Sequence, residues 1–155
     1  MHHELRRKER GLDEPETREL LERGEYGILS TCAPDGQPYG IPLNYCLIDD
    51  VIYFHCALEG HKLENIAADC RVSFCVVGMT EVLPDKFSTR FESVIASGRA
   101  AEVFDGEKQQ ALEGLIAKYS AEFLSEGLRY IEASGEKTRV FRIGIDAICG
   151  KARKK

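Results

Sequence analysis

The chain has 155 residues, of which 43% are hydrophobic and 30% are charged, and its formal net charge is −5. These values are typical of a single globular domain with a sizeable core; they disfavour a nucleic-acid-binding protein, and no apolar run reaches the roughly 18 residues of a membrane span. The charged residues 1–12 lack the apolar stretch of a secretory signal, so we expect one domain over residues 1–155 with a flexible N-terminal segment, in a cytoplasmic protein.

The six cysteines are spaced without a CxxC pair, and most of them fall inside strand-like apolar runs. Closely paired ligands mark most structural zinc sites, and disulfides are rare in reducing compartments. We therefore expect no metal site, and we expect the cysteines to serve as small core residues. They are Cys32, Cys46, Cys56, Cys70, Cys75 and Cys149.

The first predicted element is a helix that begins at Asp13. Aspartate as N-cap, a proline in the first turn and a glutamate three residues after the cap form a capping box, and the helix is expected to end near Gly24. Alternation of bulky residues then predicts strands over residues 26–32, 39–47 and 51–56, separated by tight turns. Together these strands predict a three-stranded antiparallel meander.

The third strand turns through Gly60 into a helix that carries Lys62 in its first turn. The amides at the start of a helix are unpaired and carry partial positive charge, which suits them to an anion. Gly60, His61 and Lys62 therefore form a candidate seat for a phosphate monoester. The same pattern also occurs in proteins without a ligand there, in which case Lys62 is only an exposed first-turn lysine.

The rest of the chain alternates helices with strands. Apolar spacing predicts a short helix over residues 61–68, a strand over 71–77, a long strand over 88–104 with Gly98 at a bend or bulge, a helical region over 106–130 capped by Asp105 and broken near Ser120 or Gly127, and a closing strand over 137–148. Six mostly antiparallel strands with helices beside them predict a mainly β protein, a six-stranded barrel with peripheral helices.

Several loose motifs follow one another in a specific order between about residue 12 and residue 151. They are the strand 26–31, Asp35–Tyr39 followed by Ile41–Tyr45, Ile52–His55 with Gly60–Lys62, Phe91–Val94 with Gly98–Ala100, and Ile148–Lys151. In this order they resemble the flavin-binding split-barrel proteins related to pyridoxamine 5'-phosphate oxidase, and in particular the nitroimidazole-resistance proteins of the Nim type. The resemblance implies a six-stranded antiparallel split β-barrel of the FMN-binding type.

The resemblance also implies a homodimer with flavin mononucleotide (FMN) at its interface. The flavin phosphate would lie at His61 and Lys62, the strand Ile41–Tyr45 would follow the isoalloxazine ring, and Ser93 would reach the polar edge of the ring. His55 and Cys56 would line the ribityl chain and the ring edge. The implied cofactor-binding residues are Ile41, Pro42, Leu43, Asn44, Tyr45, His55, Cys56, Gly60, His61, Lys62 and Ser93.

The implied function is that of an FMN-dependent oxidoreductase that passes electrons to a small acceptor, such as a nitroimidazole or another nitroaromatic. The flavin would supply the redox chemistry, so no side chain is required as an acid or base, and His55 is the candidate near the ring. A true pyridoxamine phosphate oxidase is not expected, because such enzymes end in a tryptophan and arginine pattern and this chain has no tryptophan. The alternative is a non-catalytic module of the same fold that carries flavin or haem.

Two positions depart from the family pattern. The usual serine-arginine-lysine of the phosphate seat is Gly60-His61-Lys62 here, and Ser93 stands where the oxidases have a longer glutamine. His55 equally fits a satisfied histidine at the end of a strand, and Asn44 and Tyr45 equally fit ordinary strand positions.

Overall fold

The computed structural model describes residues 3–155. Its helices are α1 (Glu14–Arg23), α2 (His61–Ala68), α3 (Asp105–Tyr119) and α4 (Leu124–Ser134). Its strands are β1 (Gly27–Cys32), β2 (Pro38–Leu43), β3 (Cys46–Ile48), β4 (Val51–Cys56), β5 (Arg71–Leu83), β6 (Ser88–Val103) and β7 (Arg139–Arg153).

The described strands form one antiparallel sheet in the order β2-β1-β5-β6-β7-β4-β3. The prediction of a mainly β, antiparallel barrel with peripheral helices is therefore confirmed, but the number of strands is seven rather than six. The difference arises in the predicted strand 39–47, which the structure divides into β2 and β3.

The predicted meander over residues 26–56 is wrong, because β2 and β3 lie at opposite edges of the sheet. β2 pairs with β1, and β3 pairs with β4. Between them the backbone of Tyr45 bonds to a side chain instead of a strand: its N–H donates to the Tyr119 hydroxyl at 3.1 Å, and its carbonyl lies 3.0 Å from the same hydroxyl. A backbone N–H satisfied by a side chain does not need a strand partner, so the strand can end there.

Two clusters of buried side chains hold the fold together. The larger one packs on one face of the sheet around Phe54, Phe74 and Phe141 and extends to Leu20 and Leu21 of α1. The smaller one lies between the sheet and the pair α3 and α4, and includes Tyr53, Val140, Leu112, Leu115 and Ile131. Apolar side chains are therefore buried on both faces of β4 and β7, because the larger cluster covers one face of these strands and the smaller cluster covers the other.

The helix signals are confirmed at most positions. Asp13 and Glu16 form the capping box of α1, and α3 ends with Ser120 as its C-cap. Asp105 was expected to cap α3 but is its first residue; Phe104 occupies the cap position, without a capping side chain in the described part of the chain. Gly127 does not break the helical region but lies buried in α4, where a Cβ would come within 2.5 Å of the Ile116 side chain.

The predicted bulge at Gly98 is confirmed, since the register between β6 and β7 shifts between Ser97 and Gly98. A Cβ on Gly98 would lie 2.0 Å from the carbonyl oxygen of Gly144, so only glycine allows the two strands to approach this closely. β5, β6 and β7 form the three central strands, and β5 and β7 both extend well beyond their predicted ends.

The N-terminal segment contacts β7 before α1 begins. Residues Lys8–Arg10 form a 3-10 turn, Gly11 bridges to Lys151, and the amide of Leu12 donates to the carbonyl of Gly150 at 3.0 Å. Flexibility was predicted for residues 1–12, of which residues 1 and 2 lie outside the described part. None of the helices described between residues 3 and 155 has the length and apolar character needed to cross a membrane.

All six cysteines are free thiols, and they differ in burial. Cys46 and Cys56 are buried, as expected for core residues, whereas Cys32, Cys70, Cys75 and Cys149 are half-buried. Across residues 3–155, no three His, Cys, Asp or Glu side chains are grouped so that they could hold a metal ion.

Candidate functional site

The turn from β4 into α2 is built around Gly60. Its φ of 156° and ψ of 165° belong to a region that is open essentially to glycine alone. The Gly60 carbonyl accepts from the amides of Leu63 at 3.1 Å and Glu64 at 3.2 Å, which starts the helix, and no side chain of the described residues caps this end. A Cβ on Gly60 would meet nothing within 4 Å, so there is open space beside Gly60 at the start of α2.

His61 connects this turn to the edge of the sheet. Its ring lies 4.1 Å from the ring of Tyr39 on β2, with an angle of 35° between the two planes. The contact joins two segments that sequence analysis assigns to one site, the glycine-lysine turn and the strand that follows the Asp-Gly turn. His61 therefore has a packing partner in addition to its position in the first turn of α2.

Lys62 is half-buried. Its charge acts on His55 and Cys56, the last two residues of β4. The His55 side chain is exposed on part of its surface, yet partial desolvation of its ring lowers its pKa below the usual value, and the nearby charge of Lys62 lowers the pKa further. Burial raises the pKa of the Cys56 thiol, although Lys62 opposes the rise. Both shifts favour the uncharged forms, which are the neutral imidazole of His55 and the protonated thiol of Cys56.

His55 and Cys56 lie on opposite faces of β4, since successive side chains of a strand alternate. Cys56 belongs to the larger core cluster. His55 faces α3 and α4, where it lines a cavity of about 110 Å³ together with mostly apolar side chains of both helices. The other lining residues are Leu112, Leu115, Ile116, Tyr130, Ile131, Ser134, Gly135 and Thr138.

The side chains of the segment Ile41–Tyr45 differ in burial. Ile41 and Leu43 are half-buried and pack against the larger core cluster, whereas Pro42 and Asn44 are exposed on the edge of the sheet. Tyr45 is fully buried: its hydroxyl donates to the carbonyl of Leu21, and its ring lies under the ammonium of Lys118, 3.7 Å from the ring centroid. Of the five predicted residues, Pro42 and Asn44 present their side chains to solvent.

Ser93 is not brought to the phosphate seat within one chain. It lies on β6 opposite Lys151 of β7, whereas the seat adjoins the other end of β7, where Arg139 pairs with Cys56. Ser93 and Ile95 point away from the core residues Val94 and Ala96, on the outer face of the sheet.

Sequence analysis does not identify Arg139, which the structure places beside the loop that leads to Gly60. Two of its guanidinium nitrogens donate to the Glu102 carboxylate, each at 2.8 Å, and a third lies 3.4 Å from the carbonyl of Leu58 in the loop between β4 and α2. The charge of Arg139, like that of Lys62, acts on the Cys56 thiol. Arg139 comes close to Cys56 only because β4 pairs with β7, and no local sequence motif predicts that pairing.

Comparison with known proteins gives a consistent result. The sequence model of the family described as Pyridoxamine 5'-phosphate oxidase matches residues 13–152. Among solved structures, a FAD-binding protein from Mesorhizobium loti is 28% identical with a TM-score of 0.67, and the match covers 94% of this chain and 98% of that one. No curated protein sequence matches the chain.

Two further solved structures share the fold at lower identity. A candidate 5-nitroimidazole antibiotic resistance protein from Bacteroides thetaiotaomicron is 20% identical with a TM-score of 0.75, over 92% of this chain and 86% of that one. A FAD and haem binding protein from Mycobacterium smegmatis is 17% identical with a TM-score of 0.76, over 92% of this chain and 72% of that one. These similarities confirm the predicted split β-barrel.

Proposed function

Because the chain belongs to the pyridoxamine 5'-phosphate oxidase family, we propose that it binds a flavin, namely FMN, at the turn from β4 into α2 and passes electrons to a small acceptor. The observation that carries this proposal is the uncapped start of α2 beside Gly60 and Lys62. A phosphate monoester carries close to two negative charges, and a lysine with free first-turn amides complements them.

The residues present fit a flavin phosphate. The open space beside Gly60 admits phosphate oxygens, and Lys62 supplies a permanent positive charge there. His61 completes the seat and is held against the ring of Tyr39. A bound flavin would supply the redox chemistry, while the chain's own residues bind it, orient it and exclude water.

The second part of the proposal is a homodimer with the flavin at its interface. A row of half-buried or exposed side chains crosses the outer face of the sheet in register: Ile28 on β1, Cys75 on β5, Ile95 on β6 and Cys149 on β7. Ile95 is 50% exposed in the single chain. Because Ser93 shares this face and lies far along β7 from the seat of its own chain, it would contribute to the site of a second copy.

The third part concerns the acceptor. The cavity beside His55 has about 110 Å³, which is room for one small ring, and its lining is mostly apolar. A single-ring acceptor such as a nitroimidazole would meet the neutral imidazole of His55 as a hydrogen-bonding partner. Similarity to a candidate 5-nitroimidazole resistance protein supports the same class of acceptor.

The visible spectrum of the purified protein tests the cofactor. We expect the absorption bands of an oxidised flavin, either as purified or after addition of FMN, and tighter binding of FMN than of FAD or riboflavin. A colourless protein that binds none of the three would overturn the proposal. Tighter binding of FAD would overturn the assignment of FMN while leaving a flavoprotein.

A second experiment separates an oxidoreductase from a flavin carrier. The FMN-loaded protein is mixed with reduced nicotinamide cofactor without oxygen, and a nitroimidazole is then added. Bleaching of the flavin bands followed by their return supports electron transfer to the acceptor. Bands that never bleach with several electron donors would favour the carrier.

A cytoplasmic location belongs to the same proposal. Six free cysteines, several of them half-buried, suit a reducing compartment. Cell fractionation followed by immunodetection of the chain tests this, and recovery of the protein outside the cytoplasmic fraction would contradict it.

A further inference from the structure

We infer that Arg139 is a positioning residue of the phosphate seat, which fixes the loop between β4 and α2 and thereby gives the site its preference for a flavin with a terminal phosphate. The inference rests on the proposed function. It concerns a residue at the start of β7, distant in sequence from the glycine-lysine turn.

The contacts of Arg139 hold it in one orientation. Its Nε and Nη2 atoms donate to the two oxygens of Glu102 on the neighbouring strand β6, each at 2.8 Å. Such a two-pronged pair between a planar guanidinium and a carboxylate is geometrically restrictive. The Arg139 side chain is 33% exposed and that of Glu102 is 23% exposed, so the pair is shielded more than a surface ion pair.

The remaining nitrogen of Arg139 connects this fixed pair to the seat. Nη1 lies 3.4 Å from the carbonyl of Leu58, two residues before Gly60. The loop between β4 and α2 has few other restraints: Ala57, Leu58 and Glu59 are all exposed. The contact of Leu58 with Arg139, which is itself paired with Glu102 on β6, therefore limits where Gly60 and the first turn of α2 can lie.

Charge alone does not explain the arrangement. Glu102 neutralises most of the charge of Arg139, so we assign the residue a geometric role and leave the electrostatic one to Lys62. A phosphate bound by amides and one ammonium depends steeply on where these donors lie, because hydrogen bonds weaken with small changes in distance and angle. The isoalloxazine and ribityl groups do not depend on the donors of the seat to the same degree.

This difference gives a readout that general destabilisation would not change. The dissociation constants of FMN and riboflavin are measured by flavin fluorescence for the wild type, Arg139→Ala and Arg139→Lys. We expect Arg139→Ala to weaken FMN binding about tenfold while riboflavin binding changes by less than about twofold. Arg139→Lys keeps the charge but cannot make the two-nitrogen contact with Glu102. Its dissociation constant for FMN should lie between those of the wild type and Arg139→Ala.

Arg142→Ala is the matched control. Arg142 is also on β7, and its guanidinium lies 3.4 Å from the carboxylate of Glu107. In the register of β4 and β7, however, it lies opposite Tyr53 and not opposite Cys56 at the end of β4. It should leave the ratio of the two dissociation constants unchanged.

The possible outcomes separate the inference from the function on which it rests. A wild type that binds neither FMN nor riboflavin overturns both. A wild type that prefers FMN, with an unchanged ratio in Arg139→Ala, overturns the inference alone, as would an equal loss of the two ligands. If Arg139→Ala does not fold, judged by its circular dichroism, Arg139→Lys decides by the same ratio.

Discussion

Lys62 occupies a position that a lysine does not favour without a ligand. A cation in the first turn of a helix faces the positive end of the helix dipole, which costs a few tenths of a kcal/mol or more. An anion beside it would be attracted both to the lysine and to the start of the helix, and this attraction would offset the cost. The half-burial of Lys62 and its effect on His55 and Cys56 show that it lies toward the end of β4, over the proposed site.

We therefore expect Lys62→Ala to weaken FMN binding by about 1 to 3 kcal/mol, the range for a hydrogen bond to a charged group. Lys86→Ala, which removes an exposed lysine from the turn between β5 and β6, is the control and should leave FMN binding unchanged. Fluorescence titration at constant ionic strength measures both. Equal affinities for FMN in Lys62→Ala and the wild type would remove Lys62 from the site.

The lowered pKa of His55 predicts how stability depends on pH. Its pKa is about 6.5 in the unfolded chain and lower in the folded protein, so between the two values the unfolded chain binds more protons. The contribution of His55 is therefore fully present above pH of about 6.5 and is lost as the pH falls toward the folded pKa.

Urea unfolding midpoints at pH 7.5 and pH 5.5 test this for the wild type and His55→Gln. We expect the midpoint of the wild type to fall more between the two pH values than that of the variant, because glutamine does not titrate. The same fall in both proteins would show that the pKa of His55 is not lowered by desolvation in the folded protein.

At the level of elements, sequence analysis succeeds where the signal is local. The capping box of α1 and the glycine before α2 each depend on residues a few positions apart, and the bulge at Gly98 is indicated by the glycine itself. The division of the predicted strand 39–47 into β2 and β3 could not be found in this way. It depends on Tyr119, which lies on α3 and reaches the backbone of Tyr45 only in the folded chain.

Tyr119 is therefore expected to stabilise the crossing between the two edge strands. Its hydroxyl also lies 2.7 Å from the carbonyl of Glu25, so one side chain satisfies backbone groups of two segments. Tyr119→Phe should lower the free energy of unfolding by about 1 to 3 kcal/mol, the cost of leaving part-buried backbone groups without a partner.

Tyr130→Phe is the matched control for this change. Tyr130 is 70% exposed on α4, and removal of its hydroxyl should change the free energy of unfolding by less than about 0.5 kcal/mol. Chemical denaturation followed by circular dichroism measures both variants. Equal effects of the two substitutions would contradict the role assigned to the Tyr119 hydroxyl.

At the level of the whole molecule, we propose a site to which two copies of the chain contribute. Gly60, His61 and Lys62 are contiguous and could be recognised from the sequence, whereas Arg139 required the register of β4 with β7. Tyr45, predicted to line the ring, lies in the core, because its hydroxyl finds a buried carbonyl on α1. Ser93 lies on β6 opposite Lys151, at the end of β7 that is distant from the seat, and sequence order alone does not reveal this.

The proposed dimer makes a prediction about the outer face of the sheet. We expect the protein in solution to have about twice the 17.4 kDa mass of the chain, and Ile95→Glu to produce monomers, because a charge would be buried without a partner. Phe123→Glu, at a 60% exposed position beside α4, is the control. Light scattering after size-exclusion chromatography measures the mass, and monomers from Phe123→Glu alone would place the interface on the helices.

The separation of β2 from β3 also affects the order in which the protein can fold during synthesis. The hairpins β1–β2 and β3–β4 are local and can form early, but each joins the sheet only through a later strand, β5 for the first and β7 for the second. A two-stranded hairpin alone is marginal in water. During synthesis the first hairpin can therefore join the sheet once β5 has been made, up to Leu83, whereas the second has to wait for β7, which ends at Arg153.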